Sequence, residues 1–210
     1  MVWFISHMLA AYMDFCVGVL IATLLWLYGF KERPALWLVC LGGVLALVPD
    51  FDIVWPILTR GSFVDHHQLP THFPLVMVPL AAVVAGVLGG GRFAVLAVLC
   101  LAWHFVHDSP PLGGGIAWAA PFNFDYWSWS GQRVPPIYPT HEAFMRGWAA
   151  PSPLALSELV MGSVALGVAA TLLNSKELTL RYPALYAFTV IGVWVSAWSI
   201  WAPQAIIALR

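Results

Sequence analysis

Arg92-Phe93-Ala94-Val95-Leu96-Ala97-Val98-Leu99-Cys100-Leu101-Ala102-Trp103-His104-Phe105-Val106-His107-Asp108 carries no formal charge from Phe93 to Val106 and then ends in a histidine and an aspartate. So long an uncharged run reads as a helix with a lipid-facing surface, and its polar end reads as chemistry. His104 and Asp108 are four apart and share one face of the helix end, where imidazole and carboxylate reach the same point. The rest of the chain agrees with that environment. Lys plus Arg number nine and Asp plus Glu ten in 210 residues, so 9% of positions are charged and 61% are hydrophobic. The mean hydropathy is +0.83. A soluble domain carries about 25% charge, and this chain has more apolar surface than a single core of its size can hide. The formal net charge of −1 leaves no nucleic-acid footprint. Cys16, Cys40 and Cys100 are scattered singly, which excludes a C-x-x-C thiolate site.

Six stretches have the apolar character of spans, roughly 5 to 29, 34 to 49, 73 to 90, 92 to 107, 153 to 174 and 183 to 205. The expected architecture is all-α, a polytopic membrane helical bundle. The first stretch has neither a basic leading segment nor a small-residue cleavage site, so it reads as a retained helix. The second and fourth are short and stop at acidic groups, Asp50 and Asp52 after Pro49 and Asp108 before Pro110 and Pro111. Such ends imply a site sunk slightly into one membrane face. The connections at Lys31-Glu32-Arg33, Gly89-Gly90-Gly91-Arg92 and Asn174 to Arg181 are brief and basic, while 50 to 72 and 108 to 152 are long. Lys31, Arg33, Arg92, Lys176 and Arg181 fall on the short-loop side against Arg60, Arg133, Arg146 and Arg210 on the other, which places the short loops in the cytoplasm. The 108 to 152 segment, with Trp118, Trp127, Trp129 and Trp148, is expected to pack as a lid over the site, its indoles at headgroup depth. Residues 1–210 thus read as one membrane-embedded domain, with the motifs within about 1–125 and two further spans in 153–210.

All seven histidines, His7, His66, His67, His72, His104, His107 and His141, fall on the long-loop side of this map, together with Asp50, Asp52, Asp65, Asp108, Asp125 and Glu142. An isolated H-x-x-x-D is more often a hydrogen-bonded pair than a pair of ligands, Pro-Asp after a helix is ordinarily a turn, and one of His66 and His67 is expected to be a bystander. Asp14, seven after His7, and Glu158 read as polar groups satisfied within the bundle. Joint occurrence on one side carries the metal reading. Nitrogen and oxygen donors without thiolate suit zinc, or else manganese, with open positions for water and substrate. One or two cations held by Asp50 or Asp52, His72, His104 and Asp108 would activate water. No Ser or Cys stands in a nucleophile motif, so metal-activated water is preferred over a covalent intermediate.

These residues resemble a known family, the bacterial inner-membrane metal-dependent hydrolases of the YdjM-like type, also described as LexA-binding. Its pattern is an early His in the first helix, Pro-Asp-x-Asp after the second, an H-R-G-x-T-H-S box, and an H-x-x-x-D helix followed by a Gly-rich step and a Trp-Pro-Phe-like turn. Here these stand as Ser6-His7, Val48-Pro49-Asp50-Phe51-Asp52, His67-Gln68-Leu69-Pro70-Thr71-His72, and His104 to Asp108 followed by Gly113-Gly114-Gly115-Ile116-Ala117-Trp118-Ala119-Ala120-Pro121-Phe122. Gln68 and Leu69 replace the Arg-Gly, and Phe73 replaces the Ser. The resemblance implies His7, Asp50, His72, His104 and Asp108 as metal ligands and Asp52, His67 and His107 as catalytic residues. It also implies a location in the inner membrane. The H-F-x-x-D helix is similar, more distantly, to that of zinc-dependent phospholipase C and the zinc nucleases, which implies phosphoester hydrolysis. Their later H-x-x-x-E is absent here, since His141 is followed directly by Glu142.

The expected activity is therefore hydrolysis of a phosphoester on a lipid or lipid-linked substrate, with the site on the extracytoplasmic side. A metal-binding or ion-transporting protein is the competing class, but transport calls for polar groups continuing to the opposite face, where these spans read Leu-Leu-Trp-Leu or Ala-Gly-Val-Leu-Gly. A haem bundle calls for His pairs inside apolar helices. A non-catalytic, regulator-binding membrane protein is the remaining alternative.

Overall fold

The computed structural model describes residues 2–60, 66–109, 115–127, 153–174, 188–190 and 192–193, and side chains throughout these except at 2–10, 57, 60, 66, 153 and 154. Among the described residues the chain is all-helical, as the composition predicts, with one isolated antiparallel bridge between Ile116 and Trp127. Helix α1 (Val2–Leu24) runs on into a π-helical turn, Leu25–Gly29, closed by Phe30 N–H donating to Leu25 O at 2.9 Å. Then come α2 (Leu36–Ala46), a 3-10 segment Pro49–Ile53, α3 (Val54–Arg60), single 3-10 turns at His66–Gln68 and Pro70–His72, α4 (Pro74–Gly89), α5 (Gly91–Asp108) and α6 (Pro153–Asn174).

Three helices are long and apolar enough to cross a membrane, Ala11–Gly29, Gly91–Asp108 and Ala155–Asn174, and a fourth crossing is available if α2 and Pro49–Pro56, bent by 54°, form one broken span. Helix α4 is apolar but has only 16 residues, about 24 Å of rise against a hydrocarbon core of about 30 Å. Most of the expected span at 183 to 205 lies outside the described residues. The described parts of the stretch from 50 to 72, expected as a long loop, instead hold α3 and three 3-10 pieces. Pro49 and Pro56 each stand in the first turn of a helical segment, where the missing N–H has no partner to lose.

The chain groups into two compact units, Met1–Val44 with Met145–Arg210, and Leu45–Phe144. In the first, α1 packs on α6 through Cys16, Val19, Ala165, Leu166, Ala169, Ala170 and Leu173, with Val39 of α2 added to the same core. Small residues let these backbones approach, as expected where lipid removes the hydrophobic drive between helices. Tyr12 Oη and Ser163 Oγ are 3.2 Å apart across the α1 and α6 contact, and Arg33 donates to Leu173 O at the end of α6, where the carbonyls have no helical partner. In the second unit α4 and α5 form a hairpin through Gly90, whose φ of 85° belongs to the left-handed half of the map that glycine tolerates best. Leu101, Phe105 and Ile116 form one core cluster there, and Phe73, Ala117 and Ala120 form another.

The described part of the expected lid, 115–127, therefore packs against α5 and the start of α4. Its bridge depends on Gly115, where φ is 82° and an added Cβ would lie 2.8 Å from Trp127 O. The rest of the 108 to 152 lid lies outside the described residues.

At Gly42 an added Cβ would meet Gly18 O at 2.4 Å and Ala22 Cβ at 2.6 Å, and a backbone oxygen cannot swing aside. Gly42→Val is expected to destabilise the protein by about 1–3 kcal/mol, read as a lower thermal midpoint in detergent. Gly91→Ala, with nothing within 4 Å of its Cβ, should leave the midpoint within a degree or two or raise it slightly. An unchanged midpoint for Gly42→Val would contradict the close α1 and α2 approach.

Candidate metal centre

Three separate segments of the second unit bring Asp50, His72, His104 and Asp108 together, each offering one donor atom with all four within 4.8 Å of one another. Asp50 comes from the 3-10 segment after α2, where Pro49 at the first position starts the turn. His72 ends the 3-10 turn Pro70–His72, its backbone N–H donating to Leu69 O at 2.9 Å, and Pro74 starts α4 just beyond. His104 and Asp108 lie one turn apart at the end of α5. Ser109 holds that end closed, donating its hydroxyl to Phe105 O at 2.7 Å and accepting Trp118 Nε1–H at 2.9 Å.

The spacing of the donors is compatible with a shared cation. His104 Nε2 lies 2.9 Å from Asp108 Oδ2, 3.5 Å from Asp50 Oδ1 and 3.5 Å from His72 Nε2; His72 Nε2 lies 3.4 Å from Asp50 Oδ1 and 3.8 Å from Asp108 Oδ2. A cation bound at the ~2.0–2.1 Å typical of zinc sets tetrahedral ligand-to-ligand edges of about 3.3 Å, and the five observed edges bracket that value. His72 and His104 are fully buried. Two carboxylate oxygens and two imidazole nitrogens brought this close in an apolar setting repel unless positive charge is shared among them. Asp108 Oδ2 is buried and aims at imidazole nitrogens without accepting a hydrogen bond of ordinary geometry. The donor set fits a divalent cation of the zinc type, with no sulfur donor in the cluster.

Asp52, expected among the catalytic residues, is placed behind His72. Its Oδ2 accepts from His72 Nδ1 at 3.1 Å and from the Thr71 hydroxyl. A carboxylate on Nδ1 fixes the tautomer that leaves Nε2 open toward a metal. Asp52 thus orients a ligand, and Thr71 orients Asp52. Sequence reasoning quoted Thr71 within the His67 to His72 motif but assigned it no role; its position immediately before a ligand histidine was the available signal.

His67 stands at the rim, Nε2 3.7 Å from Asp108 Oδ2 and its ring tilted over His72 with centroids 4.8 Å apart. His107 lies outside the four-residue cluster and stacks on Trp103, with centroids 5.7 Å apart and planes within 6°. Three residues along α5 turn it about 60° from His104. Asp125 is exposed and accepts from Asn123 Nδ2 at 3.1 Å in a local turn. The backbone of His7 is in α1, but its side chain lies outside the described residues, as do the side chain of His66 and all of Asp65, His141, Glu142, Trp129 and Trp148.

Burial pushes the His72 imidazole pKa down, but hydrogen bonds to Asp50 and Asp52 outweigh it and the net shift is upward. Without metal, the pairing of protonated His72 with these carboxylates stabilises the fold below the ordinary histidine range, and this contribution is lost as pH rises through the raised value. A cation needs the neutral imidazole and competes with that proton.

Compared with known proteins, the chain matches no family model, no curated protein and no solved structure.

Three outcomes follow from this geometry. His72→Ala, His104→Ala and Asp108→Ala should each abolish stoichiometric zinc in protein purified in detergent, whereas His66→Ala and Cys100→Ala should retain it; full occupancy in the first three variants would remove the assignment. Asp52→Ala should weaken zinc affinity by about 10–100-fold. In a chelator-competition titration, affinity should rise with pH by up to about tenfold per unit while His72 still holds its proton, and a flat profile would contradict the proton competition.

Proposed function

We propose that this chain is a membrane-embedded, metal-dependent hydrolase that cleaves a phosphoester on a lipid or lipid-linked substrate. One observation carries the reading: the donor cluster is sealed at His72, His104 and Asp108 Oδ2 and reached at Asp50, with His67 at the rim. The side chains of His72 and His104 are 0% exposed, while those of Asp50 and His67 are 27% and 17% exposed. Four protein donors would fill a tetrahedral zinc, so catalysis here calls for a fifth position for water, an expansion that catalytic zinc allows, and the Asp50 face is where water could enter.

Bound there, a divalent cation, zinc in the first instance and manganese as the alternative, would lower the pKa of a coordinated water and polarise the phosphoryl oxygen. The protein's own groups supply the rest. His72, His104, Asp50 and Asp108 hold the charge, and Asp52 with Thr71 keeps His72 turned toward it. His67, beside the accessible face, is positioned to accept the proton of the attacking water and to return it to the leaving alkoxide. The apolar setting excludes bulk water from the imidazole side.

The finer topology belongs to the same reading: six spans, in the inner membrane, with the centre on the extracytoplasmic side. Its support is the sequence pattern of short basic loops opposite the histidines. The resemblance to the YdjM-like hydrolases supports the reaction class, with Gln68 and Leu69 standing where that pattern has Arg-Gly.

The test is hydrolysis of phospholipid in liposomes, and of a soluble phosphodiester, by zinc-loaded protein. His67→Ala should retain its metal, lose about 10²–10⁴-fold in kcat and lose the acid limb of the pH profile. The absence of phosphoester hydrolysis by metal-loaded wild type on both substrates would overturn the assignment.

A further inference from the structure

The segment that supplies Asp50 and Asp52 has a second face. Phe51, Val54, Trp55 and Leu58 are 58%, 56%, 65% and 77% exposed. They stand at i, i+3, i+4 and i+7, the spacing of a single helical stripe. Residues 51 and 54 are three apart across the join of the 3-10 segment with α3, and 54, 55 and 58 share a face of α3. Pro49 and Pro56 are buried on the opposite side. In the 3-10 turn Asp50 and Asp52 are each rotated about 120° from Phe51, so the same short segment turns carboxylates toward the donor cluster and large apolar groups away from it.

Four large side chains in a continuous apolar stripe are not left in water by a stable protein, and the choice of what covers them is constrained. Pro49–Pro56, which carries most of the stripe, is bent by 54° from α2 and so does not continue that helix straight through. The same unit has a lipid-type exterior elsewhere: Leu75, Leu80, Val83, Val84, Val87 and Leu88 of α4 and Val95, Leu99 and Val106 of α5 are exposed. The stripe's one indole, Trp55, is of the type that prefers the boundary between headgroups and hydrocarbon. A second apolar projection is tied to the site from the other side. Phe124, itself 55% exposed, packs edge-on against Phe73, the residue after His72, at 5.5 Å, and Phe122 beside it is 87% exposed.

We propose that Pro49–Arg60 is an interfacial segment whose Phe51, Val54, Trp55 and Leu58 stripe is covered by the acyl-chain boundary of the bilayer, holding Asp50 and the donor cluster at headgroup depth. For the substrate, a consequence that rests on the hydrolytic reading above, the phosphoester reaches the cluster laterally from the lipid layer with its tails beside the stripe.

The experiment places a nitroxide at Val54→Cys or Leu58→Cys in protein whose Cys16, Cys40 and Cys100 are replaced by Ala, reconstituted in liposomes of phosphatidylcholine and phosphatidylglycerol. Collision with oxygen should exceed collision with a water-soluble nickel chelate by at least about threefold at both positions, as for a lipid-facing site. Nickel collisions dominating would mean a water-facing stripe, and protection from both reagents would mean a second copy or another part of the protein covers it; either overturns the proposal. Bound zinc reports whether each labelled variant keeps its fold. For any that does not, the depth is read on otherwise native protein as the loss of bromolipid-quenchable emission on Trp55→Phe, and no such loss counts against the proposal. Neither readout uses turnover. Failure of the hydrolase reading would therefore show separately, as lipid contact without hydrolysis.

Discussion

The meeting of two buried imidazoles with two carboxylates is the constraint on which the second unit is organised. Asp50, His72 and the His104 and Asp108 pair belong to segments that share no helix, and no main-chain ladder ties them together. Four donor atoms spaced at 2.9–3.8 Å in an apolar setting call for shared positive charge, from a bound cation or from a protonated imidazole. The surrounding details serve that convergence. Pro49 and Pro74 start the segments that carry Asp50 and follow His72, Ser109 closes the last turn of α5, and Asp52 with Thr71 fixes one ring. Removing the charge would leave carboxylates and imidazoles desolvated together, which is why the metal and the local fold are expected to be coupled.

The membrane setting and the site share one physical origin. Helix α5 is long enough to span yet ends in His104, His107 and Asp108, and the chain after α2 bends away with its carboxylates on one side and aromatic and aliphatic groups on the other. A polar cluster at the ends of apolar helices is least costly near the bilayer surface, where its accessible face can meet water and headgroups while its imidazoles remain dry. The exposed stripe of α3 and the Phe122 and Phe124 projection fit that depth.

Much of this was legible in the sequence. The apolar run from Phe93 to Val106 announced α5, and the four-residue spacing of His104 and Asp108 announced a shared face, because helical periodicity is local. Asp50 was legible as a candidate beside Pro49 at a helix exit, and His72 as one of the loop pair His67 and His72. Less legible was the direction in which neighbouring polar groups point. Asp50 and Asp52 are equivalent in sequence, yet the 120° step of a 3-10 turn sends one to the donor cluster and the other behind His72. His104 and His107 differ in the same way, by their rotation about α5, with Trp103 taking up the second ring. Helix α3 was missed because its seven residues are too few for helical periodicity to show. The two-unit grouping and the Gly115 bridge depend on contacts distant in sequence.

The central claim is that Asp50, His72, His104 and Asp108 hold one divalent cation. X-ray absorption at the zinc edge on metal-loaded protein in liposomes reads it most directly. The account predicts four or five nitrogen and oxygen neighbours at about 2.0–2.1 Å, outer-shell scattering from two imidazoles that falls to one in His104→Ala, and no sulfur. A spectrum with sulfur at about 2.3 Å, or one without imidazole scattering, would contradict it.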